Sequence, residues 1–336
     1  TLDGGTGADI LTGGFGNDIF YVDNANDQVV EQFDYDGGTD TAMSSITTTL
    51  AANVENLQLL ATAGASDGTG NALNNRMQGN EAANTLRGGD GHDQLFGMGG
   101  NDILDGGPGL NYLAGGQGDD LYLVAGSGDT IVEALAQGTD TVRSNVAYML
   151  SDNVENLVLT EAAGSVDASG NGLANILGGN SGVNQLGGGD GNDYLDGAGG
   201  ADALIGGTGD DVLVFDAADL ALSGARWLGG SGNDNIQMGV GDSIDLASLL
   251  DNQVTGIEAF DLSASGENSL SVSFKDVLAI SDTATLRVAG NSADHVSLVG
   301  SWTQGADMPI GGNLYHSYAF GGSTLLIDTD INIVPT

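Results

Sequence analysis

A nine-residue period is the feature of this chain that most limits its fold. Between residues 79 and 132, six successive nonapeptides keep one register, with glycine at or near the first, second and fourth places of most units. Asp or Asn stands at the sixth place and a large apolar residue at the eighth. The sixth-place residues are Asn84, Asp93, Asp102, Asn111, Asp120 and Asp129, and the eighth-place residues are Leu86, Leu95, Leu104, Leu113, Tyr122 and Ile131.

The nonapeptide predicts a turn followed by a very short strand. Clustered glycines adopt positive φ angles without steric cost, so the first six places form the turn. The last three places form a strand whose eighth-place side chain points inward. One such strand buries little apolar surface, so the units must stack. We therefore expect an all-β chain, a parallel β-roll or β-helix solenoid with a β-rich C-terminal cap.

Stacked carboxylates predict a bound cation. Adjacent strands lie about 4.8 Å apart, and two carboxylates at that distance repel by about 3 kcal/mol at an effective dielectric constant near 20. The chain has 6 Lys and Arg residues against 46 Asp and Glu residues, so it cannot neutralise the carboxylates itself. Carboxylate and glycine carbonyl oxygens suit Ca²⁺. Since neither His nor Cys recurs in the turns, zinc and copper are disfavoured.

The repeat resembles the RTX (repeats-in-toxin) nonapeptide of secreted Gram-negative proteins, GGxGxDxUx. That resemblance implies that two nonapeptides form one coil and that Ca²⁺ lies between turns two units apart. The ligands would be sixth-place aspartates and carbonyls of the first four places. The implied pairs are Asp102 with Asp120, Asp193 with Asp211 and Asp9 with Asp27. Asn111 departs from the pattern and should weaken the sites that it shares with Asp93 and Asp129. We expect roughly 6–12 ions, each with about six to eight oxygen ligands.

The expected calcium ligands fall into two sets. The first set is the sixth-place aspartates Asp9, Asp18, Asp27, Asp93, Asp102, Asp120, Asp129, Asp193, Asp202, Asp211 and Asp234. The second set is the turn residues Gly88, Gly89, Asp90, Gly91, Gly97, Gly99, Gly106, Gly107, Gly109, Gly115, Gly116, Gly118, Gly188, Gly189, Asp190, Gly191, Gly206, Gly207 and Gly209.

A second repeat, offset by 100 residues, predicts the domain organisation. GTDT recurs at 38 and 138, and NVENL at 53 and 153. We expect residues 1–37 to end an upstream array, followed by a first module at 38–137 and a second at 138–244. The first module comprises variant coils 38–78 and a calcium array 79–132; the second comprises variant coils 138–178, an array 179–215, an insert 216–228 and a last nonapeptide 229–237. Residues 245–336 would form the cap and secretion domain.

The variant coils are expected to continue the stack as wider, metal-free coils. Their Thr39–Ile46 and Val54–Leu59 segments alternate as strands do. Asparagine takes the sixth place in four units that lead into the arrays, where its amide can hydrogen-bond to the next coil. These residues are Asn75, Asn84, Asn175 and Asn184.

The C-terminal residues lose the nonapeptide pattern beyond Ser243. Strand-like alternation recurs at Leu270–Phe274, Leu286–Val288 and Thr324–Ile327. This region resembles the C-terminal part of large type I-secreted adhesins. We expect Tyr315, Tyr318 and Phe320 to pack in its core. His92 should be solvated, and His295 and His316 lack the spacing of metal ligands.

Composition excludes several functions. A net charge of −40 argues against a nucleic-acid partner. No apolar run is long enough to span a membrane, and the absence of cysteine fits a secreted protein stabilised by Ca²⁺. The chain lacks a signal peptide and starts in mid-repeat, so we expect it to be a piece of a longer protein. Gly64–Gly68 matches the GxSxG hydrolase motif, but residues 164–168 do not, so no catalytic constellation is expected.

Two classes of parent protein compete, and the 100-residue tandem modules and the large end domain favour the first. The first is a surface adhesin or S-layer-like protein of a Gram-negative bacterium, secreted or held at the cell surface, in which this region is structural. The second is an exoenzyme, such as a protease, lipase or alginate epimerase, whose catalytic domain lies upstream. In either class the expected partners are calcium ions, the type I secretion machinery and, for an adhesin, a cell-surface or host-surface ligand. The chain should fold when it meets extracellular Ca²⁺.

Overall fold

The computed structural model describes residues 1–32, 38–126, 128–216, 220, 224–250, 252–264 and 266–335. Nearly all regular structure in these ranges is β-strand, and the one α-helix among them is α1 (Phe274–Ile280). The chain divides into two compact units, Thr1–Val158 and Leu159–Thr336. In each unit the strands stack mainly in parallel, which confirms the predicted all-β solenoid. None of the described helices is long and apolar enough to cross a membrane.

The first unit contains two parallel sheets that run along the stack. In pairing order, the first sheet holds β1 (Leu2–Asp3), β3 (Ile19–Val22), β5 (Thr41–Ser44), β7 (Asn56–Leu59), β9 (Arg76–Gln78), β11 (Gln94–Gly99), β13 (Tyr112–Gln117) and β15 (Thr130–Ile131). The second holds β6 (Thr48–Thr49), β8 (Gly68–Thr69), β10 (Thr85–Arg87), β12 (Ile103–Asp105), β14 (Leu121–Val124) and β16 (Thr141–Ser144). A separate pair is formed by β2 (Ile10–Thr12) and β4 (Gln28–Val30), and β17 (Tyr148–Met149) and β18 (Asn156–Leu159) follow.

Strand register in the array shows that two nonapeptides make one coil. Leu95 pairs with Leu113 in one sheet, and Leu86 with Leu104 in the other. These eighth-place side chains are fully buried, as predicted. Strands such as β11 and β13 have 6 residues rather than three, because they continue into the first three places of the next unit.

The first variant segment continues the parallel pairing of the stack, but only one of the two coils between Thr41 and Arg76 is wider, as was predicted of both. Thr41 pairs with Asn56, and Asn56 with Arg76. The paired residues are 15 and 20 positions apart, so one coil is shorter and one longer than the 18-residue coil of the array. The expectation that these coils carry no metal stays a prediction.

The second unit contains three sheets. The largest runs through β20 (Ile176–Asn180), β22 (Tyr194–Ala198), β24 (Val212–Phe215), β26 (Asn235–Met238), β29 (Ala259–Asp261), β31 (Thr285–Ala289), β36 (Ser323–Asp328) and β35 (Asn313–Phe320), with β33 (Thr303–Gln304) and β34 (Met308–Ile310) on β35. The second holds β19 (Ala168–Ser169), β21 (Gln185–Asp190), β23 (Ala203–Thr208), β25 (Arg226–Ser231) and β28 (Val254–Thr255). The third holds β27 (Ser243–Asp245), β30 (Ser269–Ser273), β32 (His295–Val299) and β37 (Asn332–Pro335).

The parallel ladders cross the predicted boundary at residue 245. Ile236 pairs with Phe260, and Ser243 with Ser269, although these coils have grown to 24 and 26 residues. Helix α1 starts with a reciprocal capping box between Ser273 and Asp276. The strands predicted in this region are present. Because the parallel pairing crosses residue 245, the proposed cap is continuous with the solenoid.

The insert at 216–228 is only partly described. The nonapeptide phase resumes earlier than predicted, because Trp227 pairs with Leu204 and is 1% exposed. Trp227 thus takes the inward position of an eighth-place leucine. Residues 217–219 and 221–223, the centre of the predicted insert, lie outside the described residues.

The C-terminal hairpin is antiparallel, with β35 pairing β36, β33 and β34. Tyr315 and Tyr318 are buried, as predicted. Phe320 is 41% exposed and packs edge-on against Phe274, so its predicted core position is wrong.

Candidate metal centres

The sixth-place aspartates form a ladder across successive coils. In each rung one carboxylate oxygen, Oδ1, accepts a hydrogen bond from the backbone N–H of the sixth-place residue one coil earlier. The N–H of Asp102 donates to Asp120 at 2.6 Å and that of Asp193 to Asp211 at 2.8 Å. The N–H of Asp9 donates to Asp27 at 3.0 Å. The three predicted pairs are thus in contact.

The second oxygen of most rungs is buried without a partner. Among the described residues, this holds for Oδ2 of Asp9, Asp93, Asp102, Asp120, Asp129, Asp193, Asp202, Asp211 and Asp234. Asp27 differs, because its Oδ2 accepts from the N–H groups of Asp23 and Asn24. A buried carboxylate oxygen without a partner costs free energy that a cation can offset. The ladder therefore has the electrostatic character of a metal site.

First-place glycines keep open the space beside these oxygens. An ideal Cβ on Gly97 would press against Asp102 Oδ2 and lie 2.6 Å from the carbonyl oxygen of Gly115. A Cβ on Gly188 would meet Asp193 Oδ2 and lie 2.6 Å from the carbonyl oxygen of Gly206. A carboxylate and a carbonyl from the next coil thus face one space that a side chain would fill. This donor set suits a hard cation such as Ca²⁺.

Second- and fourth-place glycines serve the turn and the close approach of coils. Gly116 and Gly118 have φ values of +99° and +123°, and a Cβ on either would strike the backbone of the preceding coil. Third-place residues differ: Asp90 and Asp190 are exposed, and Asp190 accepts a hydrogen bond from Thr208 at 2.8 Å. The side chains of Asp90 and Asp190 therefore lie outside the ladder, and the ligand role expected of these turn residues through their carbonyls stays a prediction.

Asparagine at the sixth place directs its side-chain amide nitrogen at neighbouring oxygens. Asn111 Nδ2 donates to the carbonyl of Gly107 at 3.1 Å and to Asp129 Oδ1 at 2.9 Å. In the transition coils, the Nδ2 of Asn84 and of Asn184 donates to a carbonyl of the preceding coil. The amides thus contact a neighbouring coil, but it is the preceding coil and not the next one, so the predicted direction is wrong.

Burial dominates the electrostatics of the ladder. It raises the pKa of Asp102, Asp120 and Asp211 to about 7, although the accepted backbone hydrogen bonds act in the opposite direction. Burial likewise raises the pKa of Asp193, Asp202 and Asp234 to about 6. Without a cation these carboxylates resist ionisation near neutral pH.

The ladder extends to residues that the nonapeptide pattern did not predict. Asp40, in the first GTDT segment, accepts from the N–H of Asp18 at 2.7 Å, and Asp140, in the second, from that of Asp120 at 2.9 Å. Glu55, from NVENL, accepts from the N–H of Asp40 at 2.8 Å. The recurrence of GTDT and NVENL at a fixed offset was the signal that could have identified them.

Two clusters of three carboxylates also escaped prediction. One holds Asp18, Glu31 and Asp40, and the other Asp120, Glu133 and Asp140; in each, ligand oxygens lie within 4.8 Å of one another. At this spacing each pair of charges repels by about 3 kcal/mol at an effective dielectric constant near 20.

Other motifs take ordinary structural roles. Ser66 of the GxSxG match is 6% exposed, and its hydroxyl donates to the carbonyl of Ala63, so it lacks the exposed geometry of a nucleophile elbow. His92 is exposed, as predicted, and its Nδ1 accepts from the N–H of Leu110. His295 and His316 pair with Glu267 and Asp307.

Parallel coils with a buried carboxylate ladder and glycine-lined spaces define a metal-binding β-roll. The family model described as RTX calcium-binding nonapeptide repeat (4 copies) matches residues 1–29, 69–104, 88–122, 96–131 and 178–213. These ranges cover less than half of the chain and include most ladder aspartates. The chain is thus a carrier of RTX calcium-binding repeats, and calcium is its cofactor.

No curated protein matches the chain. The crystal structure of the extracellular lipase LipA from Serratia marcescens is 16% identical, and the alignment covers 89% of this chain and 43% of that chain, with a TM-score of 0.16. The chain therefore spans less than half of that lipase.

Proposed function

We propose that this chain is a calcium-dependent folding module of a secreted protein, held together by ions between the turns of its arrays. The observation that carries the proposal is the row of buried Oδ2 atoms without partners, all of which except that of Asp129 lie beside a glycine-lined space. Bound Ca²⁺ would neutralise these carboxylates, so its binding free energy would become folding free energy.

The proposed ligands come from two coils at a time. In the best-formed array, the Oδ2 atoms of Asp102 and Asp120 would bind the ion, together with carbonyl oxygens such as that of Gly115. Backbone N–H groups hold the Oδ1 atoms and so orient the carboxylates beforehand. In the Asn111 rung the amide nitrogen replaces an anionic ligand, which supports weaker sites there.

A calcium titration tests the proposal. Far-ultraviolet circular dichroism of metal-stripped chain, taken to about 10 mM Ca²⁺, should show a cooperative gain of β signal. Mg²⁺ should not replace Ca²⁺, because it requires a tighter octahedral set of ligands. A chain that keeps its full β signal in chelator would contradict the proposal. The same switch would let the chain leave the cell unfolded through a type I system and fold outside.

For the parent protein, we infer a structural role, as in a surface adhesin or an S-layer-like protein. Its support is continuity: variant coils extend the parallel ladders of the first unit, and residues beyond 245 extend those of the second. Force spectroscopy of the chain, pulled from its ends, provides the test. A load-bearing segment should unfold at clearly higher force in Ca²⁺ than in chelator, whereas equal forces would rule out this role.

A further inference from the structure

We infer that Asp120, Glu133 and Asp140 form a second kind of cation site, which ends the glycine array, and that Asp18, Glu31 and Asp40 repeat it. The inference rests on the calcium-dependent folding proposed above. It assigns ligands outside the nonapeptide pattern, however, and it predicts a site of higher charge than those of the ladder.

Geometry and burial define the site. Ligand oxygens of Asp120, Glu133 and Asp140 lie within 4.8 Å of one another, and the three residues are 2%, 6% and 1% exposed. Asp120 Oδ2 and Glu133 Oε2 are both buried without a hydrogen-bond partner. The few cationic side chains of the protein give no counter-charge at this position in the repeat. Three clustered anions with orphaned oxygens call for a bound cation.

The glutamate takes the place of a glycine carbonyl. Glu133 stands 18 residues after Gly115, where other units of the array place a first-place glycine. Its Oε1 accepts from the N–H groups of Gly115 and Gly116 at 3.0 and 3.3 Å, which leaves Oε2 free. In the first copy, an ideal Cβ on Gly13 would press on Glu31 Oε2 and lie 2.9 Å from Asp18 Oδ2. In an ordinary ladder site this space is lined by one carboxylate oxygen and one neutral glycine carbonyl. Here carboxylate oxygens of both Glu31 and Asp18 line it.

The position in the chain indicates what the site does. Both copies occur where a run of nonapeptides gives way to variant coils that begin with GTDT. The third array differs, because Gly229 stands where a glutamate would be needed, and a Cβ on Gly206 would meet its carbonyl. Cation binding at the two clusters would fasten the first GTDT coil to the last turn of each array.

The number of carboxylates determines which cation the site prefers. Three carboxylates surround this space, against two in a ladder site, and affinity for hard cations rises with the number of charged ligands. The site should therefore fill at lower Ca²⁺ than the ladder and should favour a trivalent lanthanide. Tyr122, fully buried, donates its hydroxyl to Glu133, so its ring lies beside the site and can sensitise the luminescence of bound Tb³⁺.

The experiment titrates Tb³⁺ into the calcium-folded chain with excitation of tyrosine. The difference between wild type and Tyr122→Phe isolates the signal from this site. Glu133→Gln should weaken Tb³⁺ binding in that signal by at least tenfold, while Glu81→Gln, at an exposed glutamate, should leave it unchanged. Circular dichroism at 10 mM Ca²⁺ verifies that each variant is folded.

An unchanged Tb³⁺ titration for folded Glu133→Gln would overturn the inference, since it would mean that the Glu133 carboxylate is not a ligand of the bound cation. If Glu133→Gln does not fold, Glu31→Gln in the first copy replaces it. Equilibrium dialysis should then show one tightly bound ion fewer than in wild type, and an equal number would again overturn the inference. A wild-type chain that does not respond to Ca²⁺ would instead refute the proposed function.

Discussion

At the scale of residues, the two oxygens of each ladder aspartate do different things. Oδ1 of Asp120 is held by the N–H of Asp102, while Oδ2 faces the glycine-lined space. Asparagine can accept the same backbone hydrogen bond, as Asn111 does from Asp93, but its Nδ2 then points at a carbonyl. Aspartate and asparagine therefore fold the same turn, and only aspartate leaves a charged oxygen for a cation.

Asp102→Asn separates these two roles. The variant keeps the hydrogen bond from the N–H of Asn84 but loses the charge at Oδ2. We expect a higher Ca²⁺ midpoint for folding, together with greater stability in chelator, because one buried repulsive charge is gone. Calcium titration and urea unfolding with and without Ca²⁺ measure both effects. Asp152→Asn, at an exposed residue, is the control, and equal midpoints for the two variants would contradict the ladder assignment.

Gly97→Ala tests the glycine-lined space without changing the turn. The φ angle of Gly97 lies outside the left-handed region, so alanine is tolerated by the backbone, but its Cβ would strike Asp102 Oδ2. We expect a loss of about 1–3 kcal/mol of stability in Ca²⁺ from overpacking, with one bound ion lost. Gly172→Ala, whose Cβ would enter open space, serves as the control in urea unfolding. Equal stabilities would show that the space is not used.

At the scale of elements, a strand of two to six residues contributes little more than one inward side chain. Leu86 is in register with Leu104 of the next coil, and each coil of the array adds one such inward side chain to the same row. Stability therefore depends on the whole row of eighth-place residues, because no single strand has a core of its own.

Leu104→Ala removes one residue from that row. The side chain is fully buried, so the cavity should cost about 2–5 kcal/mol. Leu110→Ala is the control, because Leu110 is 63% exposed and its loss should stay within about 0.5 kcal/mol. Urea unfolding in 10 mM Ca²⁺ compares them. Similar losses for both variants would mean that the row does not form the core.

What the sequence could predict follows from how local each constraint is. A nonapeptide contains its own turn, its ligand and its core residue, so the ladder and the row of leucines could be predicted from spacing alone. Glu133 keeps the 18-residue spacing but stands where the pattern has a glycine, so the pattern did not mark it as a ligand. Asp140 lies in a 20-residue coil that breaks the nonapeptide phase, and only the recurrence of GTDT pointed to it. Trp227 was assigned to an insert for the same reason, since its coil is five residues longer than those of the array.

At the scale of the molecule, the charge of −40 makes the metal-free chain sensitive to protons. Burial raises the pKa of Asp102, Asp120 and Asp140 to about 7 in the folded state, against about 3.9 for an unfolded aspartate. The folded chain then binds more protons than the unfolded chain between about pH 4 and 7. Its free energy of unfolding must fall as pH rises through that window.

Metal-stripped chain should therefore gain β structure when the pH is lowered from 8 to 5. Ca²⁺ competes with protons for the same carboxylates, so its apparent affinity should decrease over the same interval. Circular dichroism of stripped protein and calcium titrations at the two pH values measure these opposite trends. A metal-free chain that is more structured at pH 8 than at pH 5 would contradict the burial of the ladder.

The 18-residue coil also governs how such a chain can change in length. Deleting one nonapeptide would move every later eighth-place residue to the opposite sheet, whereas deleting two would remove a coil and rejoin both ladders in register. Duplication and loss by whole coils should therefore be tolerated in evolution within the arrays. The variant coils differ from one another in length, so one of them cannot be deleted or duplicated without loss of register. The number of coils would therefore vary only within the arrays that lie between variant segments.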